Sequence, residues 1–129
     1  MRPTVLLVED ELACCTTLQV AFEREDAEAS TAPFLHYAPT AEQALEILGR
    51  YPVSLLVTDI QLPSMDGLEL IRRVRTEPRF ATLPIIVTTA DGDPDTCERA
   101  LRLGANAFFT KPYSPFAVRQ KIEELIRNA

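Results

Sequence analysis

Short apolar runs recur along the chain and alternate with longer segments in which apolar residues return every three or four positions. The runs are rich in Val, Ile, Leu and Phe, and each is continuous, which is typical of strands buried on both faces of a parallel sheet. They cover residues 5–8, 34–38, 55–58, 85–88 and 107–109. The pattern therefore predicts five strands covered by helices.

The intervening segments have the apolar spacing of helices that bury one face. Thr40 and Gln43 resemble an N-terminal capping box in front of the second segment. In the third segment the apolar stripe leaves Arg72, Arg73 and Arg75 available to solvent. The predicted helices cover residues 12–24, 41–50, 67 to about 77, 94–104 and 115 to about 127.

Strands and helices alternate strictly, which predicts a doubly wound α/β fold with parallel strands. With 129 residues, 47% of them hydrophobic, the chain is long enough to bury one sizeable core, and we expect a single domain over residues 1–129. Residues 25–33 are polar and lack a clear period, so we interpret them as a loop whose role the sequence does not indicate.

Charge and the N-terminal sequence narrow the possible classes of protein. The net charge of -6 argues against a nucleic-acid-binding surface, which clustered Lys and Arg would mark. Glu9, Asp10 and Glu11 interrupt the first apolar run, so we expect neither a signal peptide nor a membrane span. The three cysteines form neither a CxxC pattern nor an even disulfide framework. We therefore expect a cytoplasmic protein with no nucleic-acid or membrane partner.

Polar residues gather at the predicted carboxyl ends of four strands, where open α/β sheets bind their ligands. Glu9, Asp10 and Glu11 follow the first strand, and Asp59 follows the third. The polar residues that end the fourth and fifth strands are Thr88, Thr89, Thr110 and Lys111. Four strands thus bring polar groups to one edge of the sheet.

Carboxylates that converge on a small crevice repel one another unless a cation lies among them, and hard oxygen ligands suit Mg²⁺. An Asp carboxylate beside Mg²⁺ can attack a phosphoryl group, which would make Asp59 the site of an aspartyl phosphate. Charge on the phosphoryl oxygens then needs a cation and a hydrogen-bond donor, and Lys111 and the Thr89 hydroxyl suit these roles. The pattern indicates a Mg²⁺-dependent phosphoryl-transfer site.

Four segments together resemble the receiver domain of bacterial response regulators, and the likeness covers nearly all of the chain. Each segment alone is a weak motif, but their order, spacing and position after predicted strands are specific. They read VLLVEDE at 5–11, VTDIQLPSMDGLEL at 57–70, PIIVTTA at 84–90 and GANAFFTKPY at 104–113. The resemblance implies a flavodoxin-like fold, a five-stranded parallel sheet of order 2-1-3-4-5 with five helices.

The resemblance also implies a metal site and a phosphoacceptor. Asp59 becomes the phosphoacceptor and a Mg²⁺ ligand, Asp10 a direct ligand, and Glu9 a ligand through water. The backbone carbonyl of Gln61 becomes a further ligand. Gly67 is interpreted structurally, as a residue that permits a turn or a close approach of the backbone.

Three further residues receive roles in switching. By motif position Thr89 becomes the switch hydroxyl, Lys111 the phosphate partner and Phe108 the switch aromatic. Adjacent strand residues point to opposite faces of a sheet, so only one of Thr88 and Thr89 can face the site. The family also has a cis peptide bond after the lysine, here before Pro112, which would aim Lys111 into the crevice.

The function that the resemblance implies is that of a phosphorelay receiver. A histidine kinase or a histidine phosphotransfer protein would donate the phosphoryl group to Asp59, and the changed surface would engage a downstream effector or output domain. Homodimerisation is a further possibility. The chain would not be an enzyme with external substrates, because it catalyses only its own phosphotransfer and autodephosphorylation.

Two alternatives belong to other classes of protein. The first is a degenerate receiver that serves as a protein-interaction module without phosphorylation, and the retained site residues count against it. The second is a phosphatase-like hydrolase with an Asp nucleophile. Such hydrolases often carry a second Asp two residues later, and here that position is Gln61.

Overall fold

A computed structural model describes residues 3–23 and 33–128, and these ranges form one parallel sheet with helices on both faces. The strands are β1 (Thr4–Val8), β2 (Phe34–Ala38), β3 (Leu55–Thr58), β4 (Ile85–Thr89) and β5 (Ala107–Thr110). The helices are α1 (Leu12–Glu23), α2 (Ala41–Arg50), α3 (Gly67–Thr76), α4 (Pro94–Leu103) and α5 (Pro115–Arg127). The strand order is β2-β1-β3-β4-β5 and every pairing is parallel, which confirms the predicted fold and strand order.

Buried side chains of the described residues form one cluster on each face of the sheet. On one face, α1 and α5 contribute residues such as Leu18 and Ile122, which pack against Val57 and Ile86. On the other face, α2, α3 and α4 pack against alternate strand residues such as Leu56. Because successive strand residues point to opposite faces, continuous apolar runs are what a sheet covered on both sides requires.

Side chains and a glycine set the ends of the helices. Thr40 and Asp66 accept hydrogen bonds from backbone N–H groups in the first turns of α2 and α3, and Ser114 does the same for α5. The Thr40 contact, to the N–H of Gln43, confirms the predicted cap. Gly104 follows α4 in the left-handed conformation, with φ of 115°.

The edge strands depart from the prediction that every strand is buried on both faces. In β2, which lies at one edge, Phe34 and Tyr37 are exposed, and in β5, at the other edge, residues 107–109 are each partly exposed. An edge strand has a neighbouring strand on one side only, so apolar content alone does not reveal how well it is covered. Most of the predicted loop at residues 25–33 lies outside the described residues.

The prediction that Arg75 faces solvent is wrong. Its guanidinium is half-buried and donates hydrogen bonds to the carbonyl oxygens of Phe80 and Gly104, each at 2.7 Å. Phe80 belongs to a short 3₁₀ helix, Pro78–Phe80, which the sequence pattern did not predict. Arg72 and Arg73 are exposed, as predicted. No helix in the described part of the chain is long and apolar enough to cross a bilayer.

Candidate functional site at the carboxyl edge of the sheet

Backbone hydrogen bonds continue the strand ladders one residue beyond the strands and thereby fix the site. The N–H of Glu9 donates to Ala38 at 3.0 Å, that of Asp59 to Val8 at 3.1 Å, and that of Lys111 to Thr89 at 2.7 Å. These bonds hold Glu9, Asp59 and Lys111 at one edge of the sheet although they lie far apart in the sequence. The predicted convergence of polar residues at this edge is therefore present.

Three carboxylates form the centre of the site. One carboxylate oxygen from each of Glu9, Asp10 and Asp59 lies within 4.8 Å of the others. The Glu9 and Asp59 side chains are almost fully buried, whereas Asp10 is exposed. Burial raises the pKa of Glu9 above its ordinary value, and the hydrogen bond from Lys111 only partly opposes this shift. A cation that binds beside Glu9 therefore stabilises the charged form of this carboxylate.

Lys111 neutralises this cluster. Its Nζ lies 2.6 Å from Oε1 of Glu9 and 2.8 Å from Oδ2 of Asp59, and 12% of its side chain is exposed. Burial alone would lower the pKa of Lys111, but the hydrogen bonds to Asp59 and Glu9 outweigh it and the pKa is raised. The peptide bond between Lys111 and Pro112 is cis, as the family resemblance implied.

Local backbone geometry orients the Asp59 carboxylate. Its Oδ1 accepts a hydrogen bond from the N–H of Gln61 at 3.0 Å, while Oδ2 accepts from Lys111. Gly67 passes so close that a Cβ there would lie 2.1 Å from the carbonyl oxygen of Asp59. The interpretation of Gly67 as a residue that permits close approach is confirmed, and the carboxylate is held from both sides.

Thr89 and Phe108 lie on the same face of the sheet. Phe108 packs against the cluster under α2, α3 and α4, and it is paired in register with Val87, two residues before Thr89. Thr89 is fully buried, and its hydroxyl accepts a hydrogen bond from the N–H of Asp91 at 3.2 Å. Thr88 points to the opposite face, where its hydroxyl has no hydrogen-bond partner among the described residues.

Two acidic residues contribute more than their sequence positions indicated. Glu11 lies immediately before α1, and its carbonyl accepts hydrogen bonds from backbone N–H groups in the first turns of that helix. Its carboxylate also lies 3.7 Å from Lys111 Nζ. Asp91 accepts hydrogen bonds from the N–H of Asp93 and the hydroxyl of Thr96. The contacts of Asp91 could have been predicted from the sequence, because Asp, Ser, Thr and Asn are favoured just before and at the start of helices.

The donor set fits a hard divalent cation. Carboxylate oxygens are the ligands that Mg²⁺ prefers, and the predicted ligands Glu9, Asp10 and Asp59 are brought together. Gln61 is adjacent to them through its hydrogen bond to Asp59, and the role of its carbonyl stays a prediction. Among the described residues, the positive charge of Lys111 opposes the three carboxylates of Glu9, Asp10 and Asp59, which leaves negative charge to attract a cation.

Comparison with known proteins gives concordant results. A model of the response regulator receiver domain matches residues 5–123. An uncharacterized 14.6 kDa protein from Leptolyngbya boryana is 37% identical, covering 93% of this chain and 87% of its own length. The transcriptional regulator PhoB of Rhizobium meliloti is 33% identical over the whole chain, which spans 54% of that protein. The chain thus has about half the length of that regulator.

Solved structures resemble the fold closely. A response regulator from Chloroflexus aurantiacus, described as putative in its name, superposes with a TM-score of 0.85 at 28% identity, covering 98% of this chain and 99% of the other. A CheY-like receiver domain protein from Methanospirillum hungatei superposes with the same TM-score at 24% identity, covering 99% and 96%. The second likeness bears on the fold alone.

Proposed function

Because the chain belongs to the response regulator receiver domain family, we propose that it is a phosphorelay receiver in which Asp59 accepts a phosphoryl group. One observation carries this proposal: buried Asp59 shares the ammonium group of Lys111 with Glu9, at distances of 2.8 and 2.6 Å. Two carboxylates and one lysine removed from water are costly for stability, so they favour a role in chemistry over a structural role.

Phosphoryl transfer to Asp59 is a substitution at phosphorus. A carboxylate oxygen of Asp59 forms a bond to phosphorus while the phosphorus–nitrogen bond of the donor's phosphohistidine breaks, and the imidazole leaves. The N–H of Gln61 and the ammonium of Lys111 hold the two carboxylate oxygens and so orient the nucleophile. We expect Lys111 to exchange its contact with the carboxylate for one with the phosphoryl oxygens.

Glu9, Asp10, Asp59 and the carbonyl of Gln61 would hold Mg²⁺, with Glu9 acting through water. When bound, the ion would neutralise part of the negative charge on the phosphoryl oxygens. The carboxylates of this chain supply the negative charge for that binding. Because burial disfavours the charged form of Glu9, a cation nearby stabilises it.

The phosphorylated state would differ from the free state at Thr89 and Phe108. The Thr89 hydroxyl accepts from the Asp91 N–H and has its own hydrogen left to donate to a phosphoryl oxygen, so a turn of Thr89 toward Asp59 would disturb its contact with Asp91. Movement of Thr89 would make room for Phe108 on the same face to turn inward. New charge-assisted contacts thus bias a population of two conformations, and the surface of α4, β5 and α5 changes.

The partners follow from this chemistry. The donor would be a histidine kinase or a histidine phosphotransfer protein, and the recipient of the signal a downstream effector or an output domain, with homodimerisation as one form of response. We propose a cytoplasmic location and no direct contact with nucleic acid. The chain would catalyse its own phosphorylation and dephosphorylation and turn over no external substrate.

Beryllofluoride, a phosphoryl mimic, tests the proposal by amide NMR. With Mg²⁺, we expect saturable shifts at Gln61, Thr89 and Lys111 that disappear on chelation of Mg²⁺ and in Asp59→Asn. Asp95→Asn, which alters an exposed carboxylate outside the site, should respond like the natural protein. A folded, Mg²⁺-loaded protein without any response would favour the alternative of an interaction module that is not phosphorylated.

A further inference from the structure

The end of α4 that lies away from the carboxyl edge is tied to α3 by Arg75. One guanidinium nitrogen donates to the carbonyl of Phe80 at 2.7 Å, and the other donates to the carbonyl of Gly104 at 2.7 Å. Gly104 is the residue that ends α4. The positive charge therefore lies at the negative end of the helix dipole and also fills hydrogen-bonding positions that the last turn leaves open.

Gly104 and Asn106 are shaped around this arginine. A Cβ on Gly104 would lie 2.6 Å from Nε of Arg75, so the side chain crosses directly over the glycine. Asn106 exchanges two hydrogen bonds with the backbone of Ile85, at 2.7 and 2.8 Å, and its Oδ1 lies 3.3 Å from Arg75. We call Arg75, Phe80, Gly104 and Asn106 the Arg75 junction, because they join α3, α4, β4 and β5.

The opposite end of α4 is connected to Thr89. The N–H of Asp91 donates to the Thr89 hydroxyl at 3.2 Å, and the Asp91 carboxylate accepts from the N–H of Asp93 at 2.9 Å and from the Thr96 hydroxyl at 3.1 Å. Thr96 lies in the first turn of α4. The Thr89 hydroxyl is therefore linked to the amino end of α4 through the hydrogen bonds of Asp91.

We propose that Arg75 is a positioning residue that fixes the carboxyl end of α4, so that phosphorylation moves the helix about the Arg75 junction. This inference rests on the proposed function, since it concerns how that site reaches the surface. With one end held by Arg75 through the Gly104 carbonyl and the other linked to Thr89 through Asp91, displacement is confined to the amino end. The junction thus converts a change at Thr89 into a tilt of α4.

The test compares Arg75→Met with Arg73→Met by amide NMR, with Mg²⁺ and beryllofluoride. Arg73 is on the same helix but exposed and paired with Glu69, so it controls for loss of a charge. In the natural protein and in Arg73→Met, we expect large shifts at Thr96 and small ones at Asn106. In Arg75→Met, the affinity for beryllofluoride, followed by the Gln61 shift, should stay within about twofold of that of the natural protein. The shifts should then extend to Gly104 and Asn106.

Reduced stability alone would not redistribute the shifts at unchanged affinity, which separates positioning from a purely structural role. If Arg75→Met fails to fold, Arg75→Lys retains the charge but reaches fewer acceptors than the forked guanidinium, and it should give a smaller spread in the same direction. If folded Arg75→Met shows the same distribution of beryllofluoride-induced shifts as the natural protein, the role of Arg75 is overturned and the proposed function is not. The absence of any response at Gln61 in the natural protein would overturn the proposed function, and this role with it.

Discussion

Glu9 and Asp59 are carboxylates that the fold removes from water within reach of a single ammonium group. Water would solvate each of them separately, so their burial together is unfavourable except where a cation compensates. Burial raises the pKa of Glu9, and hydrogen bonds to both carboxylates raise the pKa of Lys111. At the residue scale, the site is thus a balance of charges that depends on the position of one lysine.

Replacing that lysine exposes the imbalance. Lys111→Met should lower the free energy of unfolding by about 3 kcal/mol without metal, because it leaves buried carboxylates unpaired. Saturating Mg²⁺ should restore part of this loss, since the ion takes over the compensation. Urea unfolding with and without Mg²⁺ measures both effects. Lys121 forms a more exposed ion pair with Glu124, so Lys121→Met should lower the free energy of unfolding by less than about 1 kcal/mol. Equal losses in both variants would contradict the account.

Two glycines give a matched comparison of backbone constraints. Gly67→Ala should destabilise the protein by about 2 kcal/mol or more, because its Cβ would meet the carbonyl oxygen of Asp59 at 2.1 Å. A Cβ at Gly49, inside α2, would lie 3.9 Å from the tip of the Arg79 side chain, so Gly49→Ala should stabilise the protein by about 0.5 to 1 kcal/mol. Thermal unfolding measures the stability change of each variant. If both variants are stabilised, or both are destabilised, the close approach of the Asp59 backbone is not the reason for glycine at position 67.

At the scale of elements, the connection between β4 and α4 joins the site to the surface. Thr89 ends β4 with its hydroxyl bonded to the next turn of backbone, and Asp91 carries the connection into α4. The other end of α4 is fastened by Arg75. A helix held in this way can respond to the site as a rigid body, because its own hydrogen bonds need not break.

Removing the Thr89 hydroxyl should separate binding from response. Thr89→Val keeps the shape of the buried side chain but deletes the donor that a phosphoryl group would recruit. We expect beryllofluoride to bind in the presence of Mg²⁺ with shifts at Gln61, while the shift at Thr96 is largely lost. Amide NMR titration measures both in one experiment. Thr89→Ser, which retains the hydroxyl, should keep the Thr96 response; its loss in both variants would show that the hydroxyl is not the link.

At the scale of the whole molecule, the apolar pattern predicts the strands, the helices and the edge that carries the site, and the family resemblance implies the strand order. These predictions rest on many residues at once, so a few exceptions, such as the exposed side chains of β2, do not change them. The Arg75 junction could not be predicted, because its acceptors are backbone carbonyls in other elements. Helical spacing indicates which face a side chain occupies, but not what a long side chain reaches across a gap.

The covalent modification of Asp59 tests the central claim most directly. The protein is incubated with phosphoramidate, a small phosphoryl donor, with and without Mg²⁺, and its intact mass is measured beside that of Asp59→Asn. We predict the gain of one phosphoryl group in the natural protein with Mg²⁺, and no gain in the variant or after chelation. An unmodified natural protein, or equal modification of Asp59→Asn, would contradict the assignment of Asp59 as the phosphoacceptor.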